Sequence, residues 1–347
     1  MYIKKILISI AFLGLIGMGV FAYYVYGAIF NPNTAFEAKE AHIYLTSEAT
    51  YEEVREQLQP LLKDISGFDR LAQKKGYVAN VKPGHYILQN GMNTNEIINT
   101  LRSHNIPVNV VFNNQERLEN LAGRIAKQIE ADSLSLITAF RDKSFLAENG
   151  FDRETALAMY LPNQYQLYWN TSAEAFRQRM KEEYRRFWTP ERITKAKAQG
   201  LTPIEVSTLA SIVHKETVKT DERPTVAGVY LNRYKNGWKL DADPTVIFAL
   251  KKHSNNWDRV IKRVLYKDLE LDSPYNTYKY KEFPPGPIAM PDITAIEAVL
   301  NPKDHNYYYF VADPSRMGYH KFARTLAEHN RNKNAYVRWI NKQGINR

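Results

Sequence analysis

Hydrophobic positions along this chain fall into two regimes. The first is one uncharged run at 6–30, ILISIAFLGLIGMGVFAYYVYGAIF, with no polar face. It exceeds the roughly 20 residues a helix needs to cross a bilayer. Lys4 and Lys5 precede it, and Tyr23, Tyr24 and Tyr26 stand where an interfacial aromatic belt would lie. The lysines put the N-terminus in the cytoplasm and the rest of the chain beyond the cytoplasmic (inner) membrane, as in a single-pass periplasmic protein. A cleaved signal peptide is the alternative. The length of the run and the lack of a clear small-residue cleavage site argue against it.

After residue 30 the pattern becomes amphipathic. NPNTAFEAKE at 31–40 is polar and reads as a linker. Residues 41–105 form a small α+β unit. HIYL predicts a strand, and TYEEVREQLQPLL a helix with Val54, Leu58, Leu61 and Leu62 on one side. A second helix covers 68–75, and KPGHYIL is a turn and a strand. NTNEIINTLRSH is a helix opened by Asn93 or Thr94, with Glu96 in its first turn.

Residues 106–347 continue as α+β. PVNVVF predicts a strand, 116–130 and 133–149 are helical, and a Tyr-rich passage holds Tyr160, Tyr165, Tyr168 and Trp169. Charged helices cover 173–187 and 189–199. A helix with Val226, Val229, Tyr230 and Arg233 on one face is closed by Gly237. In LDADPTVIF, Asp243 reads as a helix cap with Pro244 in the first position. SPYNTYKYKEFPPGPI is an irregular loop, since its prolines forbid a regular helix or a central strand. NYYYFVAD alternates as a strand, YHKF follows a turn, and 324–342 is an amphipathic helix.

One helix at 202–217, TPIEVSTLASIVHKET, stands out. Thr202 is placed to cap it, Pro203 suits the first turn, and Glu205 completes a capping box. Val206, Leu209 and Val213 recur at spacings of three and four, and the next residue on that stripe is Glu216. Two readings stay open for it. A buried carboxyl with a raised pKa can serve as a general acid. A side chain in the last turn can also bend out to solvent or pair with Lys or Arg. His214 lies roughly 200° round the helix from Glu216, so it faces away.

Composition narrows the chemistry. The formal charge of +10 suits an anionic partner, yet no compact basic block or nucleic-acid signature appears, so nucleic acid is not expected. Cysteine is absent, which removes disulfides, thiolate metal sites and a cysteine nucleophile. No HExxH pairs His214, His320 or His329 into a metal site. No GxSxG elbow, Walker loop or dinucleotide fingerprint is present either, so neither metal nor cofactor is expected. A stripe glutamate, a Tyr/Asn/Pro loop and aromatics beyond a membrane remain. Those parts suit glycan cleavage.

The motifs ASIVHKET, VAGVYLNR, GWKLDADPTVIF, SPYNTY, FPPGPI and NYYYFVAD, in this order, closely resemble those of the MltG (YceG-like) endolytic murein transglycosylases. The strand–helix–helix–strand unit at 41–105 resembles a LysM-like module, a type that often binds glycans containing N-acetylglucosamine. The resemblance implies an anchor at 1–30, a linker at 31–40, the LysM-like subdomain at 41–105 and a YceG-type catalytic domain at 106–347. It implies cleavage between N-acetylmuramic acid and N-acetylglucosamine with 1,6-anhydro ends, limitation of glycan strand elongation, and work beside peptidoglycan synthases. The family's catalytic glutamate falls on Glu216.

Two departures from the family pattern are His214, where glutamate is common, and Asp241, where glutamine is common. Asp241 either raises the pKa of Glu216, tunes sugar binding, or points outward. Tyr275, Asn276 and Tyr278 are candidates for sugar contacts, as are Asp243 and His320, each against a structural role. The rival functions are a muramidase, which uses water instead of the muramyl 6-hydroxyl, and a non-enzymatic peptidoglycan-binding scaffold.

Overall fold

A computed structural model of the chain describes residues 2–343. The N-terminal run forms helix α1 (Tyr2–Phe30). Its segment Tyr2–Tyr23 is long and apolar enough to cross a membrane, and no other helix among the described residues passes that test. The chain divides into two compact units. One comprises residues up to 110 with 127–131 and 165–172, and the other the remainder.

In the first unit β1 (Glu40–Leu45) pairs antiparallel with β2 (Gly84–Gln89), from Glu40 opposite Gln89 to Leu45 opposite Gly84. Between them lie α2 (Tyr51–Leu58) and α3 (Ile65–Lys74), and α4 (Thr94–Ser103) follows. Capping boxes open α2 and α4: Thr50 with Glu53, and Asn93 with Glu96. Ile43, Leu45, Tyr86 and Leu88 point inward onto Val54, Leu58, Phe68, Ile97 and Leu101. The segment read as a linker is instead part of this unit. Asn33 is buried; its side chain donates to Asp64 O at 3.0 Å and accepts from Asp64 N at 2.7 Å. Asn33 thus ties the segment to the α3 entrance, while Asn31, Glu37 and Lys39 of the same segment are exposed.

The chain then forms β3 (Pro107–Phe112), α5 (Leu118–Ile125), α6 (Ser133–Phe140), α7 (Lys143–Glu148) and β4 (Asn163–Tyr168), which pairs with β3. The helix expected over 133–149 is broken because Asp142 caps α7, accepting from Ser144 N and Phe145 N. Tyr160 and Tyr165 are core residues, whereas Tyr168 is exposed.

Further helices and a hairpin complete the second unit. They are α8 (Ala173–Phe187), α9 (Pro190–Ala198), α10 (Pro203–Glu216), α11 (Arg223–Lys235), α12 (Asp243–Ser254), α13 (Ile293–Leu300) and the β5 (Tyr309–Ala312)–β6 (His320–Ala323) hairpin; α14 (Leu326–Lys342) then packs on that hairpin. α10 is the centre, touched by α9, α11, α12 and α13. The spacing of its aliphatics implied one buried face. In fact every residue from Val206 to Val213 is buried, because partners surround the helix. Each large aliphatic so buried contributes about 1.5–3 kcal/mol. Ser211 remains satisfied there: its Oγ donates to Thr208 O at 2.6 Å and accepts from Ile288 N at 3.0 Å. That second bond anchors the proline loop to α10. On α11, Gly228 admits His305, since a Cβ there would lie 2.6 Å from the imidazole Nε2.

Strand β5 is shorter than the motif NYYYFVAD suggested. Side chains of α11 take the preceding carbonyls: Asn232 donates to His305 O and Tyr307 O, and Arg233 donates to Tyr308 O at 2.7 Å. These bonds fasten the hairpin to α11.

Candidate active site

The capping box read from the sequence starts α10: Thr202 Oγ1 accepts from Glu205 N at 3.2 Å, and Thr202 N donates to Glu205 Oε2 at 2.7 Å. At the other end Thr217 turns the backbone to an extended conformation, leaving Glu216 as the last helical residue. His214 and Glu216 diverge as helical geometry requires. His214 Nδ1 lies 3.3 Å from Asp292, which also holds the buried Arg223 through bonds of 2.6 and 2.8 Å. Glu216 lies instead in the electrostatic field of a different group: Tyr230 and Arg233 of α11, Asp243 of α12 and His320 of β6.

Glu216 keeps a partly exposed edge, but its Oε2 is sealed from solvent and has no hydrogen-bond partner. Burial is the largest influence and pushes the carboxyl up to about 7. The field of His320 opposes this, the negative charge of Asp243 adds to it, and the Tyr230 hydroxyl and Arg233 pull downward. Tyr230 is itself buried, and burial first and the charge of Glu216 second push its phenol up. It therefore remains a neutral hydroxyl beside the acid.

Asp243 is not the cap of α12. Ala242 takes the N-cap position and Asp243 is the first helical residue, so its carboxylate is free to accept the Tyr278 hydroxyl at 2.7 Å. Among the strongest influences on Glu216 the second carboxylate is this one. Asp241 is exposed, at φ 48° between buried Leu240 and Ala242. Aspartate tolerates that left-handed conformation better than most residues. Its backbone is clamped, because Asp241 N donates to Thr277 O and Ala242 N to Thr277 Oγ1 at 3.0 Å. Thr277 Oγ1 and Thr245 Oγ1 also bond at 2.8 Å, which ties the SPYNTY loop to the start of α12.

Two expected sugar contacts are committed elsewhere. Asn276 is fully buried; its amide donates to Leu269 O and Leu271 O, each at 2.8 Å, and its Oδ1 accepts from Tyr278 N. Tyr275 is buried against Phe248, and its hydroxyl donates to Glu154 at 2.7 Å. Both shape the loop, and neither offers a ligand a free polar group in this arrangement. Tyr278 alone of the three reaches the Glu216 group. The sequence pattern marks Tyr230 and Arg233 only as helix-face residues and does not single out Glu222. The shared face of Tyr230 and Arg233 on α11 was the available signal.

No three His, Asp or Glu side chains among the described residues stand where they could hold a metal ion. Over residues 43–335 the chain matches the family model described as the YceG-like family. The chain belongs to the YceG-like family.

The YceG-like match takes in every residue placed around Glu216. It is similar to proteins named endolytic murein transglycosylase. One, from Bacillus subtilis (strain 168), is 43% identical over 130 residues, covering 38% of this chain and 34% of the relative. Another, from Streptococcus pneumoniae serotype 2, is 27% identical over 369 residues, covering 97% of this chain and 66% of the relative. The chain thus spans less than two thirds of either relative's length. A crystal structure of a yceG-like protein from Listeria monocytogenes is 26% identical and superposes with a TM-score of 0.56. That likeness covers 84% of this chain and 98% of the other.

Proposed function

We propose that this chain is a membrane-anchored endolytic lytic transglycosylase. It would cut peptidoglycan strands between N-acetylmuramic acid and N-acetylglucosamine and leave 1,6-anhydro-muramyl ends. The observation that carries the reading is the Glu216 carboxyl: a sealed, unpartnered oxygen whose pKa is pushed up to about 7. A general acid works best with a pKa near the working pH. The names of the family relatives support the substrate class.

In this mechanism Glu216 gives its proton to the glycosidic oxygen as the C1–O bond breaks through an oxocarbenium-like state. The carboxylate then takes the proton of the muramyl 6-hydroxyl while O6 bonds to C1. The proton returns to Glu216 and no water is consumed. No second carboxylate is needed as nucleophile, and Asp243, held by Tyr278, acts on the charge of Glu216 instead. Helix α1 would anchor the chain, with the N-terminus cytoplasmic and the rest periplasmic. The βααβ order and antiparallel pairing of the first unit support a LysM-like glycan-binding role. Termination of glycan strands beside the synthases follows from the same reading.

Mass spectrometry of glycan strands digested by the purified full chain tests this. Anhydro ends support the proposal, and reducing ends would replace it with a muramidase. Equal cleavage by Glu216→Gln would remove Glu216 as the acid, and no cleavage by the parent would favour a binding scaffold.

A further inference from the structure

The second unit holds a cavity of about 360 Å³ that the mechanism above does not use, and none of the groups acting on Glu216 lines it. Its aromatic side is built by Phe248, edge-on to Trp257 with centroids 5.3 Å apart and tilted against Tyr275 at 4.7 Å. Two cations lie over these rings: the Arg117 guanidinium is 4.6 Å from the Trp257 centroid, and Lys252 Nζ is 4.6 Å from that of Tyr275. The neighbouring backbone is tightly packed, since a Cβ on Gly286, next to Pro287 of the lining, would lie 2.1 Å from Glu154 O. Four basic side chains and three carboxylates line the cavity, and the carboxylates are already engaged. Glu154 pairs with Lys252, and Glu119 with Arg141. Glu116 takes Lys251 at 2.9 Å and Lys215 at 3.6 Å, neither of which belongs to the lining. Arg117 has only a long approach to Glu119, at 3.8 Å, and its Nε lacks a hydrogen-bond partner. Arg153 is exposed and forms no ion pair among the described residues. Two guanidinium groups are therefore left for an anion, and their planar forks suit carboxylates.

We propose that this cavity binds the short peptide that peptidoglycan carries on N-acetylmuramic acid, with its carboxylates on Arg117 and Arg153 and its small apolar side chains on the rings of Phe248 and Trp257. This rests on the reading of the chain as a peptidoglycan-cleaving enzyme. A cavity of this size, part aromatic and part charged, is ordinary for a small ligand. Its place singles out the peptide among anions. Lys215, the residue before Glu216, reaches the cavity wall through its bond to Glu116. Helix α12 makes a second connection: it starts at Asp243 and carries Lys252 of the lining nine residues on, roughly 13 Å at 1.5 Å per residue. That is the scale of a disaccharide. A glycan strand held at Glu216 bears a peptide on its muramyl residues, so a peptide site at this spacing favours strands that carry peptides over bare ones and selects where a strand is cut.

The test compares kcat/KM of the full chain in detergent on two substrates made from the same strands, one with its peptides and one stripped of them by an amidase. The parent is expected to prefer the peptide-bearing strands about tenfold, and Arg153→Gln and Arg117→Gln to cut that preference to about twofold, chiefly through a raised KM on those strands. Arg153 is exposed, so its replacement spares the fold; a melting temperature checks Arg117→Gln. No preference in the parent, or the parent's preference kept in Arg153→Gln, overturns the inference. A second readout is independent of turnover: calorimetric titration of the full chain with the synthetic peptide L-Ala-γ-D-Glu-L-Lys-D-Ala-D-Ala. Binding by the parent that is weakened about tenfold in Arg153→Gln is expected, and no binding, or equal binding by both, overturns the inference. If the parent cuts neither substrate, the functional reading fails, and the titration alone decides whether the cavity takes the peptide.

Discussion

Tyr278 donates its hydroxyl to Asp243 Oδ1 at 2.7 Å, joining an irregular loop to the first turn of α12 beside the Glu216 carboxyl. Its own backbone N–H is held by Asn276, so the bond is fixed from both ends of the residue. Tyr278→Phe removes one charge-assisted bond and leaves Asp243 to water. Cleavage is expected to fall roughly tenfold, with a melting temperature within a few degrees of the parent. Kinetics with calorimetry on the same preparation check this; an unchanged kcat would show that the pair is only structural.

Glu216 has a stability signature of its own. Its folded pKa of about 7 exceeds the ordinary 4.5, so the folded state binds the proton more tightly than the unfolded chain. That stabilisation is whole below pH 4.5 and is lost as pH rises through about 7. At 1.36 kcal/mol per unit the loss is at most about 3 kcal/mol. Glu216→Gln should therefore be inactive yet more stable than the parent above pH 7, and equal to it near pH 4. Thermal unfolding across that range is the measurement, and a parallel pH dependence in the two proteins would contradict the burial argument.

Asp292 works on the opposite side of α10. Burial would raise its carboxyl, but bonds from His214, Arg223, Ala295 N and Thr294 outweigh that and hold it well below the usual carboxylate range. The stability it provides is present above its ordinary pKa of 3.8 and is lost on acidification below it. Asp292→Ala strands the buried Arg223 charge, at a cost of about 3–5 kcal/mol. Urea titration at neutral pH should show that loss, and a cost below about 1 kcal/mol would mean that Arg223 finds water.

Asn276 satisfies three backbone groups of its loop. Asn276→Ala leaves them unpaired, at about 1–3 kcal/mol for each that stays buried. The expected outcome is a fall in stability together with a fall in kcat, since Tyr278 loses its backbone anchor. A raised KM with kcat and stability unchanged would restore Asn276 to the role of a direct sugar contact.

Asp241 should tolerate glycine and resist valine. At φ 48° a β-branched residue is strained, whereas glycine is at ease. Asp241→Val is expected to lower the melting temperature by several degrees and Asp241→Gly to leave it nearly unchanged, as differential scanning calorimetry would show.

Much of this was legible from local pattern. The uncharged run, the helix start at Asn93, the capping box at Thr202, the turn at Gly237 and the divergence of His214 from Glu216 all depend on residues within a turn or two of each other. Helical periodicity and cap chemistry are local physics, so a linear reading recovers them. What the tertiary structure decided was non-local. The hydrogen-bonded Glu222 and His320 stand 98 positions apart, and Tyr278 and Asp243 stand 35 apart. Asp243 stands in the first turn of α12, and that start is clamped by Thr277 from another segment. The low dielectric that lifts the Glu216 pKa arises because four helices close around α10. No spacing within 202–217 encodes that enclosure.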